Sequence, residues 1–314
     1  MEVPQAITSA FVARPVRADK YSVGTVAVVG GSVRYPNAPV IAALGARAAG
    51  AGLVRLVAPE ASRIAAGFHV PEATFEDASS AAVLPRADVV VLGMGLGLGE
   101  DAKSRVRGAL FDRPGKFVVD ADALTVLAAI CAEEGASWRC DGQEVVLTPH
   151  EGEAARLLGC AREEVAGDRR GAAREIASRY SATVVLKGAG TIVVPPDGSR
   201  EYVNGTGNPF MAVGGAGDLL AGAIGARWAY LGSGERGAAV ARAMAVEQGN
   251  GLPSEALAKA GGQTAFLAAA GAAWLHGAAG DKVVAEGRDP SIACIASAIG
   301  ELRVRLDSCP PATT

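Results

Sequence analysis

A glycine-rich turn followed directly by an acid is the segment of this chain best suited to chemistry. The stretch Asn204–Asp218 ends in Gly214-Gly215-Ala216-Gly217 and Asp218, and an Ala-, Leu- and Gly-rich helical pattern begins at once after the acid. A helix N-terminus presents unpaired N–H groups and the positive end of a dipole, and glycines let that backbone approach a phosphate. A carboxylate inside such an anion hole is explained if Asp218 takes a proton from an attacking hydroxyl during phosphoryl transfer.

The elements that must position this turn alternate between short β-branched strands and Ala-rich helices. This alternation predicts an α/β fold with a mostly parallel sheet and right-handed crossovers. Thr191–Gly198 breaks the rhythm and, with a return strand through Arg200–Val203, predicts a late antiparallel hairpin. A helix is predicted over Ala38–Ala51, and a glycine-spotted surface loop over Gly249–Gly262. The predicted strands are Thr25–Val29, Leu53–Ala58, Asp88–Leu92, Lys116–Asp120, Glu144–Thr148 and Thr183–Lys187.

Polar or glycine-rich motifs follow five of these strands. Ligands of open parallel sheets bind at the carboxyl ends of the strands, so the five motifs are expected to share one edge. They are Gly30-Gly31-Ser32, Gly93–Gly97, Asp120-Ala121-Asp122, Thr148-Pro149-His150-Glu151 and Lys187-Gly188.

The glycine and lysine motifs each have more than one interpretation. Gly93–Gly99 fails the GxGxxG dinucleotide pattern because Leu98 stands where the third glycine belongs, so we interpret it as a loop where a ligand nears the backbone. No GxxxxGK[ST] phosphate loop occurs in the sequence. Lys187-Gly188-Ala189-Gly190-Thr191 could form a bulge or turn, but a contact to a nucleotide phosphate or ribose is favoured because lysine binds phosphate as a point charge.

The histidines and strand-end acids also have structural alternatives. His150 could be a site residue or part of a helix start with acids in its first turn. Asp120 and Asp122 could be metal ligands, a paired acid set, or an Asx turn and helix cap, and the cap interpretation of Asp122 is the stronger one. A packed or capping role is favoured for His276, and His69 has no supporting motif.

Bulk properties exclude several classes of protein. The chain has 314 residues, half of them hydrophobic, which fits a folded globular protein. A net charge of −3 with interspersed charges and no basic stripe argues against a nucleic-acid partner. The five cysteines form no CxxC pair, so reduced thiols are expected. We expect neither a signal peptide nor a membrane span, and a cytoplasmic location.

Taken together, the motifs resemble the ADP/ATP-dependent NAD(P)H-hydrate dehydratases of the ribokinase-like superfamily. The resemblance runs from about Lys20 to Asp281, and the glycine-acid turn alone marks only the superfamily. The matching pieces, in chain order, are Val29–Ser32 with Asn37-Ala38-Pro39, Ala48–Val54, Gly93–Gly97, Asp120–Leu124, Leu147–Glu153, Val185–Thr191, Thr206–Pro209, Met211-Ala212, Gly214–Asp218 and Leu275–Asp281.

The sequence departs from the family pattern at several positions. Phe210 and Val213 replace a glycine and a threonine and bring bulk near the expected phosphate site. Three more departures are Met94 for proline, Glu151 for proline and Ala216 for serine. The stretch 249–271 resembles an insertion, and no fused epimerase domain is expected before Lys20.

The resemblance implies a ribokinase-like three-layer α/β/α fold and a repair reaction. The implied substrate is NADH or NADPH carrying a hydroxyl at C6 of the nicotinamide ring, dehydrated at the expense of ADP or ATP. Asp218 would be the base, and amides of Gly215, Ala216 and Gly217 would form the anion hole. Mg²⁺ would be held mainly through the nucleotide phosphates. The hydrate site would comprise Ala38, Gly95 or Gly97, His150, Asn208 and Asp218, and the nucleotide site Lys187, Gly188, Ala189, Gly190, Thr191 and Gly217.

The resemblance also implies an organisation and leaves two alternatives. We expect an N-terminal extension over 1–19, one domain over 20–309 and a frayed tail over 310–314. A homotetramer and a separately encoded NAD(P)H-hydrate epimerase are expected partners. The alternatives are a ribokinase-like kinase of a small hydroxylated vitamin precursor, and an inactive nucleotide-binding relative, which the bulk of Phe210 and Val213 keeps open.

Overall fold

Strands with continuous apolar sequences form the centre of the fold. The computed structural model describes residues 2–77, 86–134, 142–232 and 254–308, with only the backbone of 254–262. In these ranges the strands form one sheet in the order β3-β2-β1-β4-β5-β6-β7-β8-β9. Their bounds are β1 Thr25–Val29, β2 Leu53–Ala58, β3 Thr74–Asp77, β4 Val89–Leu92, β5 Gly115–Val119, β6 Gln143–Leu147, β7 Thr183–Leu186, β8 Ile192–Val194 and β9 Tyr202–Val203.

The sheet is buried on both faces, which is why its central strands are apolar throughout. Every residue of β1 is buried, and Val28 pairs in parallel register with Leu56 of β2 and Val91 of β4. Because side chains alternate along a strand, Val26 and Val28 join one core cluster while Ala27 and Val29 join the other. β7 to β9 pair antiparallel, so the predicted late hairpin is confirmed.

Helices cover both faces and complete three layers. The core on one side is built by α1, α8, α9 and α10, and the core on the other by α3, α4, α5 and α7. The helices are α1 Ala38–Ala48, α2 Glu60–His69, α3 Glu100–Leu110, α4 Asp122–Glu134, α5 Glu151–Leu158, α6 Arg162–Gly167, α7 Arg169–Arg179, α8 Ala216–Leu231, α9 Ser254–Ala285 and α10 Ile292–Ser308. In the described ranges every helix is either too short or too polar for a bilayer.

The N-terminal segment belongs to the same core. A 3₁₀ helix spans Gln5–Ala10, and both Ile7 and Phe11 are buried. The Phe11 ring packs edge-on against Trp274 of α9 at 5.6 Å between centroids. The segment predicted as an extension therefore contributes apolar side chains to the domain that it was expected to precede.

Three features differ from the sequence predictions. β3 was not predicted because Thr74–Asp77 carries two acids and lies at the sheet edge. The surface loop predicted over 249–262 is wrong for 254–262, which lies in α9. Helix α1 ends at Ala48 rather than Ala51, since Gly50 adopts φ +103° and directs the chain into β2. Positions 249–253 and the tail 310–314 lie outside the described residues. The boundary at residue 20 and the insertion over 249–271 stay predictions.

Candidate active site

The five motif-bearing loops meet at one edge of the sheet. The strands that precede them, β1, β4, β5, β6 and β7, are consecutive neighbours in the sheet and parallel to one another. Their carboxyl ends therefore point the same way, and the expected clustering of the motifs is confirmed.

The glycine turn opens α8 without a side-chain cap. Gly215 has φ +91°, and α8 begins at the next residue. A Cβ at Gly215 would lie 2.7 Å from Cδ1 of Ile41, so both the backbone conformation and the close packing against α1 require glycine. Within the described part of the chain no side chain caps this helix start. The Ala216 N–H donates to the carbonyl of Val213 at 3.3 Å, which leaves the N–H groups of Gly215 and Gly217 and the dipole available to an anion.

A second glycine loop packs against the start of α1. Gly95 has φ +65°, and a Cβ there would lie 2.7 Å from Cβ of Tyr35 and 3.1 Å from Cβ of Ala38. Gly97 donates its N–H to Oδ2 of Asp122 at 2.8 Å. Asp122 is the first residue of α4, and its carboxylate accepts from the glycine loop, so the cap interpretation of Asp122 is not confirmed.

One lysine lies among several carboxylates beneath these loops. Lys187 Nζ donates to Oδ1 of Asp120 at 2.7 Å and lies 3.8 Å from Oε2 of Glu153. Thr148 Oγ1 donates to the same Asp120 oxygen at 2.8 Å. Asp120 is 1 % exposed. The Lys187 ammonium also approaches the turn, since a Cβ on Gly217 would lie 3.3 Å from it.

Burial, together with the neighbouring charges, shifts the pKa values of these groups. Burial, followed by the charge of Asp120, raises the pKa of Asp218 to about 7. Burial also raises the pKa of Glu153 to about 7, although Lys187 opposes it. Burial lowers the pKa of Lys187, but Asp120 and Glu153 outweigh that effect and raise it overall. Asp218 is therefore poised to exchange a proton near neutral pH, as a general base requires.

His150 is the N-cap of α5. Its Nδ1 accepts from the N–H groups of Gly152 at 2.9 Å and Glu153 at 3.3 Å, while Glu153 Oε2 accepts from the His150 N–H at 2.8 Å. The helix-start alternative is thus confirmed. Burial and then Lys187 lower the pKa of His150, and an accepting Nδ1 is unprotonated, so the neutral ring carries its proton on Nε2.

The loop before the glycine turn is anchored to α9 by an acid that the sequence analysis did not assign. Asp281 accepts from Nδ2 of Asn208 and from the N–H of Gly207, both at 2.9 Å. Asn208 Oδ1 in turn accepts from the N–H of Phe210 at 3.2 Å. Phe210 and Val213 are 66 % and 36 % exposed, so their added bulk lies at the surface.

Comparison with known proteins matches residues 26–297 of this chain to the family model described as NAD(P)H-hydrate dehydratase. The chain belongs to this family. It is 38 % identical over 279 residues to the ADP-dependent (S)-NAD(P)H-hydrate dehydratase of Neisseria meningitidis, covering 87 % of this chain and 81 % of that protein. It is 42 % identical over 229 residues to the bifunctional NAD(P)H-hydrate repair enzyme of Gloeobacter violaceus, covering 68 % of this chain and 42 % of that enzyme.

Solved structures show the same fold. The ADP/ATP-dependent NAD(P)H-hydrate dehydratase of Bacillus subtilis, co-crystallised with ATP and Mg²⁺, matches with a TM-score of 0.74 at 23 % identity, covering 96 % of this chain and 97 % of that one. A ribokinase-like superfamily protein of Enterococcus faecalis matches with a TM-score of 0.76 at 23 % identity, covering 98 % and 96 %. The predicted ribokinase-like fold is confirmed.

In this NAD(P)H-hydrate dehydratase family member, the loop over 187–191 has a support that the sequence did not reveal. Arg169, the first residue of α7, donates to carbonyl oxygens of that loop. The signal available in the sequence was a basic pair, Arg169-Arg170, in the first helical turn, where acids are normally favoured. His276 is buried in α9, in agreement with the packed role favoured for it.

Proposed function

We propose that this protein restores NADH or NADPH from its C6-hydrated form, using ADP or ATP as phosphoryl donor. The observation that carries the proposal is the pairing of Asp218, whose pKa is raised to about 7, with the uncapped start of α8 at the same edge. A base and an anion-binding helix start are the two parts that phosphoryl transfer from a nucleotide requires.

The first step activates the leaving group. Asp218 removes the proton of the C6 hydroxyl while the oxygen attacks the terminal phosphoryl group, and the nucleotide leaves as AMP from ADP or as ADP from ATP. The amides of Gly215 and Gly217, at the start of α8, stabilise the charge on the transferring group. The Ala216 amide, which was expected to join them, donates to the carbonyl of Val213 instead. The family match and the positions of these residues at one edge support this assignment.

The second step needs little from the protein. The ring nitrogen lone pair expels phosphate from C6, and transfer of a C5 proton to water completes the C5–C6 double bond of the reduced nicotinamide. Ala38, Gly95, Gly97 and His150 would line the ring pocket, and Asn208 would hold the turn in place through Asp281. The contact of Gly95 with Ala38 supports placing these two together.

The nucleotide would bind on the other side of Asp218. Gly188 and Gly190 adopt φ +143° and +64°, which exposes backbone for a close approach by ribose or phosphate. Among the described residues no group of three or more acids, histidines or cysteines is arranged to hold a metal. The excess of carboxylate around Lys187 nevertheless suits Mg²⁺ carried in by the nucleotide, where it would neutralise the phosphates.

The family context supports further proposals on partners. The chain spans 42 % of the bifunctional Gloeobacter relative. A separately encoded NAD(P)H-hydrate epimerase, which would supply the usable epimer, is a proposed partner. A homotetramer in the cytoplasm is the proposed form.

The direct test is recovery of reduced-nicotinamide absorbance from purified NADH hydrate and NADPH hydrate with Mg²⁺ and either ADP or ATP. Nucleotide-dependent recovery with stoichiometric phosphate release, absent without nucleotide, is expected and would identify the donor. A stable phosphorylated product would indicate a kinase instead. Nucleotide binding without recovery would indicate the inactive relative.

A further inference from the structure

Four carbonyl oxygens, one from the last residue of β7 and three from the loop after it, accept hydrogen bonds from one guanidinium. Arg169 Nη1 donates to the carbonyls of Ala189 at 2.6 Å and Gly190 at 3.4 Å. Its Nη2 donates to those of Lys187 at 3.1 Å and Leu186 at 3.4 Å. Backbone carbonyls need hydrogen-bond donors, and one side chain supplies a donor to each of these four.

The position of the Arg169 guanidinium is fixed by its own helix and by Glu151. Asp168 caps α7 by accepting from the N–H of Gly171 at 2.8 Å, and the helix packs on the core through Ala173 and Ile176. Arg169 Nε lies 3.6 Å from Oε1 of Glu151, at the start of α5. The Arg169 side chain is only 21 % exposed. A cation at a helix N-terminus interacts unfavourably with the helix dipole. The contacts of Arg169 with these acceptors offset that unfavourable interaction.

The direction of these carbonyl groups determines the direction of the N–H groups in the same loop. In a planar trans peptide the C=O of one residue and the N–H of the next are antiparallel. Carbonyls of Lys187, Ala189 and Gly190 directed at Arg169 therefore turn the N–H groups of Gly188, Gly190 and Thr191 to the opposite face. The preceding peptide behaves in this way, since the Leu186 carbonyl faces Arg169 while the Lys187 N–H is bonded to the Pro149 carbonyl on β6's loop at 2.8 Å.

We propose that Arg169 is a positioning residue for nucleotide binding, aiming the amides of Gly188, Gly190 and Thr191 at the phosphates or ribose of the nucleotide. The inference rests on the proposed function, which supplies the nucleotide. Neither of the two positive-φ glycines can hold this shape alone, because glycine loses the most conformational freedom on ordering. The Arg169 guanidinium also fills the space beside Gly188, where a Cβ would lie 2.7 Å from Nη2 of Arg169.

Lysine cannot replace this guanidinium. A guanidinium presents five donors in one plane, whereas an ammonium is a point charge that cannot span four separate carbonyls. Arg169→Lys keeps the charge and Arg169→Gln removes it, so the two variants separate a geometric role from an electrostatic one. The matched control is Arg170→Gln, because Arg170 is the next residue, is 63 % exposed and pairs with Glu201 away from the loop.

The experiment measures binding of Mg²⁺–ADP and Mg²⁺–ATP by calorimetry without hydrate, together with KM for each substrate. Both Arg169 variants are expected to weaken nucleotide binding and raise the nucleotide KM by about tenfold or more, because small misplacements of binding groups are costly. The KM for hydrate and the kcat at saturating nucleotide should stay within about threefold, and Arg170→Gln should match the wild type.

A thermal melt of each Arg169 variant is the control for simple destabilisation of the fold. The inference is overturned if Arg169→Gln binds nucleotide as the wild type does, or if it weakens hydrate KM, kcat and nucleotide binding alike. It is also overturned if Arg169→Lys behaves like the wild type. Wild-type protein that binds nucleotide but does not dehydrate the hydrate refutes the proposed function alone, whereas wild-type protein that binds neither nucleotide refutes both.

Discussion

Two buried ionic groups lie in different parts of this fold and are built in opposite ways. Under the N-terminal segment, Arg227 is 1 % exposed and donates to Oδ1 of Asp307 at 3.0 Å and to the carbonyl of Ala10. The rings of Phe11 and Tyr230 lie 5.4 and 5.3 Å from its guanidinium carbon. Asp307, the Ala10 carbonyl and the two rings all complement this cation, and Arg303 shares the Asp307 carboxylate at 3.3 Å.

At the carboxyl edge of the sheet the balance is reversed. Asp120, Glu153 and Asp218 share the ammonium of Lys187, and burial raises the pKa of Glu153 and of Asp218 to about 7. A matched ion pair is stable but inert, whereas an excess of one charge leaves a group ready to change its protonation. The first group therefore stabilises the fold, whereas the second group can exchange protons during a reaction.

The largest effect is expected from breaking the matched group. Asp307→Asn leaves Arg227 and Arg303 without their shared carboxylate in a dry environment, and should lower the free energy of unfolding by about 3–5 kcal/mol. Urea unfolding checks this value, with the exposed Asp101→Asn as control. Turnover by the folded fraction should be unchanged, since the pair lies away from the carboxyl edge. A loss below about 1 kcal/mol would mean that the pair is no better than a surface ion pair.

Removing the ammonium of Lys187 from the carboxylate group at the sheet edge should cost less stability. Lys187→Met is expected to lower the free energy of unfolding at pH 8 by about 2–3 kcal/mol, because Glu153, whose pKa is already raised to about 7, can take up a proton instead of staying charged. The loss should shrink at pH 6, where protonation is easier. Lys103→Met, which breaks a surface pair with Glu133, is the control. A loss that is equal at both pH values would contradict the explanation.

The contrast between the two groups also shows what the sequence could predict. Continuous apolar runs identified β1 and β2 with their bounds, and the glycine-acid turn located Asp218, because both signals are local. The Arg227–Ala10 contact joins residues 217 positions apart, so no spacing reveals it. The roles of Arg169 and Asp281 were not predicted for the same reason, since each contacts a loop that only the fold brings near it.

The wild-type protein should respond to pH in opposite directions in stability and in turnover. The pKa values of Glu153 and Asp218 are raised in the folded state to about 7, so the folded state binds more protons than the unfolded one. Their contribution is fully present below the unfolded pKa values and is lost as pH rises through about 7. We expect a decrease of about 1–2 kcal/mol in unfolding free energy from pH 5.5 to 8, measured in urea.

Turnover should rise over the same interval, because a base must be deprotonated before it can accept the hydroxyl proton. The pH profile of kcat/KM is therefore expected to show an acidic limb with an apparent pKa near 7, shared by the coupled acids. Stability that rises with pH through this range would refute the assignment of excess negative charge to this edge.

The smallest stability effect is expected from Asp218→Asn, and its sign is the most informative. Removing one carboxylate from a group that already has too many should raise the free energy of unfolding at pH 8 by about 1 kcal/mol or less. The gain should vanish near pH 5.5, where the wild-type acid is already protonated. Turnover should nevertheless fall by about 10³-fold or more, because the amide cannot accept the proton. If Asp218→Asn instead destabilises the fold as Asp307→Asn does, Asp218 is part of a matched structural network, and the distinction between the two regions fails.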